Sequence, residues 1–232
     1  QARMGKFSEP AIDGKRPEPF VQLAPQVRYA IAVDVSRSRL YVLENAPMGP
    51  RRVIDMYATI GASGSGKAKE GDKRTPVGVY NILNAIERDK LSDFYGEGAF
   101  PLDYPNVLDK KSGKSGSGIW IHGVPKETFA RAPRSSEGCI VVSNDDLKTL
   151  TPYIQPGFTQ IAIAEAINWI PAAQVSKEEH ALRKAIETWR TDWESRDLNR
   201  YLDHYAPSFF SDKVSSRDEW RVVRKSVTEE KS

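Results

Sequence analysis

The chain has 232 residues, 39% of them hydrophobic and 28% charged, which suits one large folded domain or a domain with a small companion. Its net charge of +3 is too slight a bias for a nucleic-acid-binding protein, and no run of about 18 apolar residues exists to span a membrane as a helix. A single cysteine excludes an internal disulfide, and three histidines and one cysteine without zinc spacing give no expectation of a metal or other cofactor.

Residues 1–26 carry Pro10, Pro17, Pro19 and Pro25 among many charges and read as an extended lead-in, partly ordered at best. The first residue is Gln1 and no signal-peptide core follows it, so either a targeting segment has been removed or the chain has been trimmed. Apolar alternation then predicts a hairpin, with strands over Tyr29–Val35 and Arg39–Glu44 around the Ser36-Arg37-Ser38 turn, and a third strand over residues 51–60. The following Gly61-Ala62-Ser63-Gly64-Ser65-Gly66-Lys67 has the glycine spacing of a phosphate loop. Ala68, however, stands where Ser or Thr must reach Mg²⁺, and Gly71 and Pro76 forbid the helix, so the segment reads as a solvated turn.

A strand is expected over Val79–Leu83, after the Pro76 and Gly78 punctuation. Residues 84–118 read as a long loop region of the kind that forms lids or binding walls, with Lys110 and Lys114 as solvated charges. Gly118–Gly123 is a short buried-type strand ending on His122, with Trp120 in the core. Ile140–Val142 is apolar and β-branched, and Ser143-Asn144-Asp145 reads as the N-cap of a helix through Leu150. Gln160–Ala164 is the last strand. Beyond residue 171 the period changes: Leu182, Ile186, Trp189 and Trp193, then Leu198, Tyr201, Leu202 and Tyr205, form a helical stripe read as core packing. A capping box is expected at Ser176 and Glu179, and a break at Arg196-Asp197.

Two segments carry candidate chemistry: Trp120-Ile121-His122-Gly123, and Ser136-Glu137-Gly138-Cys139, whose cysteine lies seventeen positions after the histidine. A free thiol titrates at about 8.5, so it needs a base to become a nucleophile at neutral pH, and an imidazole can take its proton. His122 ends an apolar strand, a rigid support, and Gly138 lets a substrate come close to Cys139. The N–H groups of Gly138 and Cys139 could then cradle a tetrahedral oxyanion. Taken singly, a cysteine beside an apolar run is more often a small buried hydrophobe and a lone histidine more often structural.

The stretch from about Tyr29 to Ala164 resembles the catalytic domain of the L,D-transpeptidase (YkuD-type) family, whose signature is His-Gly, a gap in the mid-teens, then Ser/Thr-His-Gly-Cys. His122-Gly123 matches the first part and Ser136-Glu137-Gly138-Cys139 the second, with Glu137 in place of the usual histidine. Lys73-Arg74-Thr75-Pro76-Val77-Gly78 is similar to the family's Lys-x-Thr-Pro-x-Gly. The resemblance implies an α+β fold, mainly β: a β-sandwich catalytic domain over residues 27–170, after the lead-in of 1–26, followed by a short helical segment over 171–232. It implies Cys139 as nucleophile, His122 as base and the Gly123 carbonyl as the group that orients the imidazole. The substrate would be a peptidoglycan stem peptide, cut between meso-diaminopimelate and D-alanine through an acyl-enzyme that water or an amine resolves, in the periplasm. Arg131 and Arg134 are candidates to pair with the substrate carboxylate, and Ser136 and Gly138 to line its path.

Leu91–Phe100 with Tyr104-Pro105-Asn106 resembles a proteobacterial branch that includes L,D-carboxypeptidases and enzymes releasing wall-linked lipoprotein, with a nuclear-transport-factor-like (SnoaL-like) C-terminal domain. Trp189, Trp193, Asp197, Tyr201, Tyr205, Phe209, Trp220 and Lys225 fit the opening helices of such a domain, without the curved sheet that would follow. A wall-binding scaffold with a degenerate catalytic domain is the alternative, motivated by Glu137. The sequence does not bear on oligomeric state.

Overall fold

The computed structural model describes residues 14–20, 22–47, 49–211 and 213–229. They fall into two compact units, up to Val175 and from Ser176. In the first, the elements are β1 (Lys15–Pro17), β2 (Tyr29–Asp34), β3 (Arg39–Ala46), β4 (Gly49–Tyr57), β5 (Ile60–Gly61), β6 (Gly78–Asn81), β7 (Ile86–Glu87) and β8 (Gly98–Pro101). There follow α1 (Val107–Lys111), β9 (Trp120–His122), β10 (Arg134–Ser136), β11 (Ile140–Val141), α2 (Asn144–Leu150), β12 (Gln160–Ala164) and β13 (Trp169–Pro171). The chain then runs through α3 (Ala172–Glu194), α4 (Leu198–Asp203) and α5 (Arg217–Glu229). The fold is α+β and mainly sheet.

The main sheet has the order β4-β3-β2-β12-β6 and the second sheet β11-β9-β8-β7. Side chains alternate across a strand, and the first sheet is apolar on both faces. Ile31, Val33, Leu40, Val42, Tyr80, Ile161 and Ile163 turn toward the second sheet and share one core with its Phe100, Ile119, Ile121 and Ile140. The opposite face carries the small residues Ala30, Ala32 and Ala162 beside Tyr41 and Leu43. It is covered by Phe20, Leu23, Val27, Ile167 and Trp169. Small side chains there let these covering segments lie close, which is why a strand reading Tyr-Ala-Ile-Ala-Val is buried on both sides. This two-sheet packing is the sandwich expected from the sequence.

Several expectations need correction. The lead-in contributes a strand, since β1 pairs antiparallel with β13, while residues 1–13 lie outside the described residues. The segment 84–118 holds β7, β8 and α1, and β8 is an inner strand flanked by β7 and β9. Nor is the turn at 61–67 solvated throughout: Lys67 is 3% exposed and its ammonium lies 2.9 Å from Asp72. Lys114 pairs at 2.7 Å with buried Asp109. Because α3 begins at Ala172, Ser176 sits inside the helix and cannot be its cap. The break at Arg196-Asp197 is present: Arg196 has φ +62°, and the Asp197 carboxylate accepts from the Asn199 and Arg200 N–H groups to start α4. The stripe beyond residue 171 is only partly core. Tyr201 and Leu202 are buried, whereas Leu182, Ile186 and Trp193 are exposed.

Candidate active site

The register of the second sheet builds the site. β11 runs parallel to β9 with Ile140 opposite Ile121 and Val141 opposite His122, which sets Cys139 beside Trp120. Ile121 and Ile140 point into the core. Alternation therefore turns Trp120, His122 and Cys139 to the other face of the sheet, with His122 two residues, or about 6.6 Å, along the strand from the level of the thiol.

His122 is 1% exposed. It is roofed by the turn at Asp93–Tyr95: the Tyr95 ring meets it edge-on at 5.1 Å and the Phe94 ring lies at 5.7 Å. Its Nδ1 is 2.7 Å from the Gly123 carbonyl oxygen. A carbonyl only accepts, so Nδ1 carries the proton and Nε2 keeps its lone pair. Burial pushes the imidazole pKa down to about 4, the Gly123 carbonyl opposing this and the Arg131 charge adding to it. His122 is thus a neutral base at any pH near neutrality.

Cys139 is partly exposed, and its Sγ–H donates to the Gly118 carbonyl at 3.3 Å. Burial raises its pKa, against the pull of the Trp120 N–H, Lys67 and Arg131. Both members of the pair therefore rest uncharged. That differs from a preformed thiolate with an imidazolium: desolvation disfavours charge on each, and proton transfer must accompany attack.

The turn before Cys139 is held from within and from outside. Ser136 Oγ donates to the Cys139 carbonyl at 2.6 Å and accepts from the Gly138 N–H at 3.1 Å. Buried Thr75 donates to the Gly138 carbonyl at 3.0 Å and accepts from the Gly61 N–H at 2.9 Å. Gly138 has φ +122°, and a Cβ on it would stand 2.7 Å from the Arg74 carbonyl oxygen, so only glycine fits. One expectation falls here. The Gly138 N–H, expected to face an oxyanion, is already bonded to Ser136, while the Cys139 N–H has no partner among the described residues.

Among the other expected residues, Arg131 is brought to the site. Its guanidinium lies 5.4 Å from the Phe94 ring centre, while its carbonyl accepts from Tyr57 at 2.8 Å. Arg134 is exposed on β10 and its side chain makes no hydrogen bond or ion pair among the described residues. Ser136 is buried and its hydroxyl is used within the turn. Glu137 is exposed and pairs with Lys73 at 3.0 Å. Trp120 is half-buried and leans on Tyr95 at 4.9 Å, so it lines the site rather than the core. Sequence reasoning missed Thr75, Phe94 and Tyr95 as individuals, although each lies in a segment singled out by resemblance.

Beneath the turn, buried Lys67 and Asp72 form an ion pair. Burial works against the Asp72 charge, but the Lys69 and Ala68 N–H groups and the Lys67 ammonium outweigh it and hold the carboxyl well below the usual range. This ties down the loop that presents Thr75.

The model of the YkuD L,D-transpeptidase catalytic domain matches residues 28–163, and that of the Cds6 C-terminal NTF2-like domain matches 181–232. No curated protein matches the chain significantly. Among solved structures, Bd1075 of Bdellovibrio bacteriovorus is 30% identical, with a TM-score of 0.80 over 93% of this chain and 77% of its own. The helical cell shape determining protein Pgp2 of Campylobacter jejuni is 26% identical, with a TM-score of 0.72 over 88% of this chain and 70% of its own. The chain belongs to the YkuD L,D-transpeptidase family and carries a C-terminal NTF2-like segment behind its catalytic domain.

Proposed function

We propose that the protein is a cysteine-dependent L,D-peptidase of peptidoglycan stem peptides, with Cys139 as nucleophile and His122 as base. The family acts on such peptides. The observation that carries the reading is the fixed imidazole: Nδ1–H on the Gly123 carbonyl leaves a neutral Nε2 on the sheet face that Cys139 shares. As Sγ attacks the carbonyl of meso-diaminopimelate, its proton passes to Nε2 and the carbonyl electrons move to oxygen. The Cys139 N–H, without a partner among the described residues, is assigned as the donor to that oxyanion. Collapse breaks the C–N bond, and Nε2–H returns the proton to the departing D-alanine amine. Water then attacks the thioester, giving its proton to Nε2 and restoring the thiol.

Arg131, half-buried over Phe94, is the candidate for the substrate carboxylate. Arg134 and the Glu137–Lys73 pair, all exposed, are assigned to the rim of the substrate path. Ser136 and Gly138 serve by shaping the turn. Hydrolysis is favoured over cross-linking on the resemblance to the carboxypeptidase branch. Domain limits of 27–170 and 171–232 go with this reading, as does a periplasmic location, in keeping with cell-wall relatives. A role in cell shape is suggested by the relative named for it.

The test is incubation with tetrapeptide muropeptides and mass analysis. Tripeptide plus free D-alanine, lost in Cys139→Ala, supports the reading. Dimers or D-amino-acid exchange would make it a transpeptidase, and turnover surviving in Cys139→Ala would refute the nucleophile. One observation favours the non-catalytic scaffold reading: the thiol donates to Gly118 rather than to His122. Absence of any acyl-enzyme with intact substrate would decide for it.

A further inference from the structure

The carbonyl that holds His122 is itself held. Gly123 C=O and Val124 N–H are the two ends of one peptide group, whose atoms lie in one plane. On the carbonyl side, the oxygen accepts from His122 Nδ1 at 2.7 Å. On the N–H side, the hydrogen is donated to Asn144 Oδ1 at 3.1 Å. That oxygen also accepts from the Glu97 N–H at 3.2 Å, and Asn144 Nδ2 donates to the Val124 carbonyl at 2.9 Å. Two N–H donors on one side and a carbonyl on the other leave a single orientation for the amide.

The fit is close. A Cβ on Gly123 would overlap Asn144 Oδ1, and one on Gly96 would overlap the same atom. Glycine at position 123 is therefore what lets the Asn144 side chain reach the peptide. Asn144 also stands at the head of α2, right after its N-cap Ser143, so the helix fixes where the amide is presented. The same amide ties down both strands of chain around the base: Glu97, next to the Tyr95 roof, and Val124, next to His122.

We propose that Asn144 is a positioning residue for the base: by holding the Gly123–Val124 peptide it fixes the carbonyl that fixes His122 in its Nδ1–H tautomer. A rigid plane carries the constraint from one side to the other. A donated N–H also makes the carbonyl at the other end a better acceptor. This rests on His122 being the base, as proposed above. A side chain that only stapled two loops would lower stability when removed but would leave the imidazole tautomer alone.

The test uses the full chain with isotope-labelled histidine and nitrogen NMR of the imidazoles, the His122 signals being assigned by their loss in His122→Asn. In the wild type at neutral pH, His122 is expected as one tautomer, protonated at Nδ1. Asn144→Ala is expected to give mixed or exchanging tautomers and a kcat lowered by up to about 100-fold with little change in KM. Asn144→Asp, which keeps the accepting oxygen, is expected to retain the single tautomer. A pure Nδ1–H tautomer in folded Asn144→Ala overturns the proposal. Should that variant not fold, loss of the tautomer in Asn144→Asp overturns it instead. A wild type that shows the tautomer but turns over no muropeptide refutes the peptidase reading and not the positioning role.

Discussion

Acidification is expected to destabilise this fold through His122, by an amount the site geometry sets. The imidazole titrates at about 4 in the folded chain because it is buried, against about 6.5 when unfolded. Between those values the unfolded chain binds a proton that the folded chain does not, so stability is complete above about pH 6.5 and falls as pH drops toward 4. The whole effect is about 3 kcal/mol, of which about 2 kcal/mol is lost by pH 5. The measurement is denaturant unfolding of wild type and His122→Asn at pH 7.5 and pH 5. Asparagine keeps a donor near the Nδ1 position and does not titrate. The cavity it leaves costs the same at both pH values, and every other group cancels in the comparison. Wild type should lose about 2 kcal/mol more than the variant between the two conditions. An equal loss in both proteins would mean that His122 is not held neutral by burial. The same value places the acid limb of kcat/KM near 4 rather than near 6.5.

Iodoacetamide labelling of Cys139 should quicken only on the alkaline side of an ordinary thiol, since burial raises its pKa. A labelling plateau at mildly acidic pH would reveal a resting thiolate–imidazolium pair and refute the neutral ground state. Thr75→Val removes the donor to the Gly138 carbonyl and strands the Gly61 N–H, both in buried surroundings. It should cost about 1–3 kcal/mol and slow acylation by substrate while leaving the alkylation rate of Cys139 unchanged, because alkylation needs no oxyanion donor. Parallel loss of both rates would count against that role. Asp72→Ala leaves the Lys67 ammonium buried without its carboxylate. Denaturant unfolding should show a loss of about 3–5 kcal/mol, and a loss within about 0.5 kcal/mol would show that water or another acceptor takes over.

What the sequence made legible was what repeats locally. Short apolar runs bounded by turn residues located β2, β3 and β12, and they are apolar throughout because both faces of that sheet are covered. Resemblance pointed to His122 and Cys139, and the register of β11 on β9 sets the cysteine segment beside the strand that ends on the histidine. Periodicity misled where a partner was assumed: Leu182 and Ile186 have core spacing and are exposed. Charge misled where burial or pairing was not foreseen, at Lys67 and Lys114.

The residues that fix the site left no local pattern, because each acts on a peptide far along the chain. Thr75 holds Gly138 from 63 positions away, and Asn144 holds Val124 from 20. Their visible trace is the glycine on the other side of the contact. Gly138 is glycine because the Arg74 carbonyl lies against it, and Gly123 because Asn144 does. The His-Gly and Gly-Cys pairs are thus half of two close approaches whose other halves lie on the 72–75 segment and the head of α2. Gly123 is there for room alone, while Gly138, at φ +122°, supplies both room and the backbone conformation. It follows that enlarging either glycine should damage the site by displacing Thr75 or Asn144, even with the thiol and imidazole both intact.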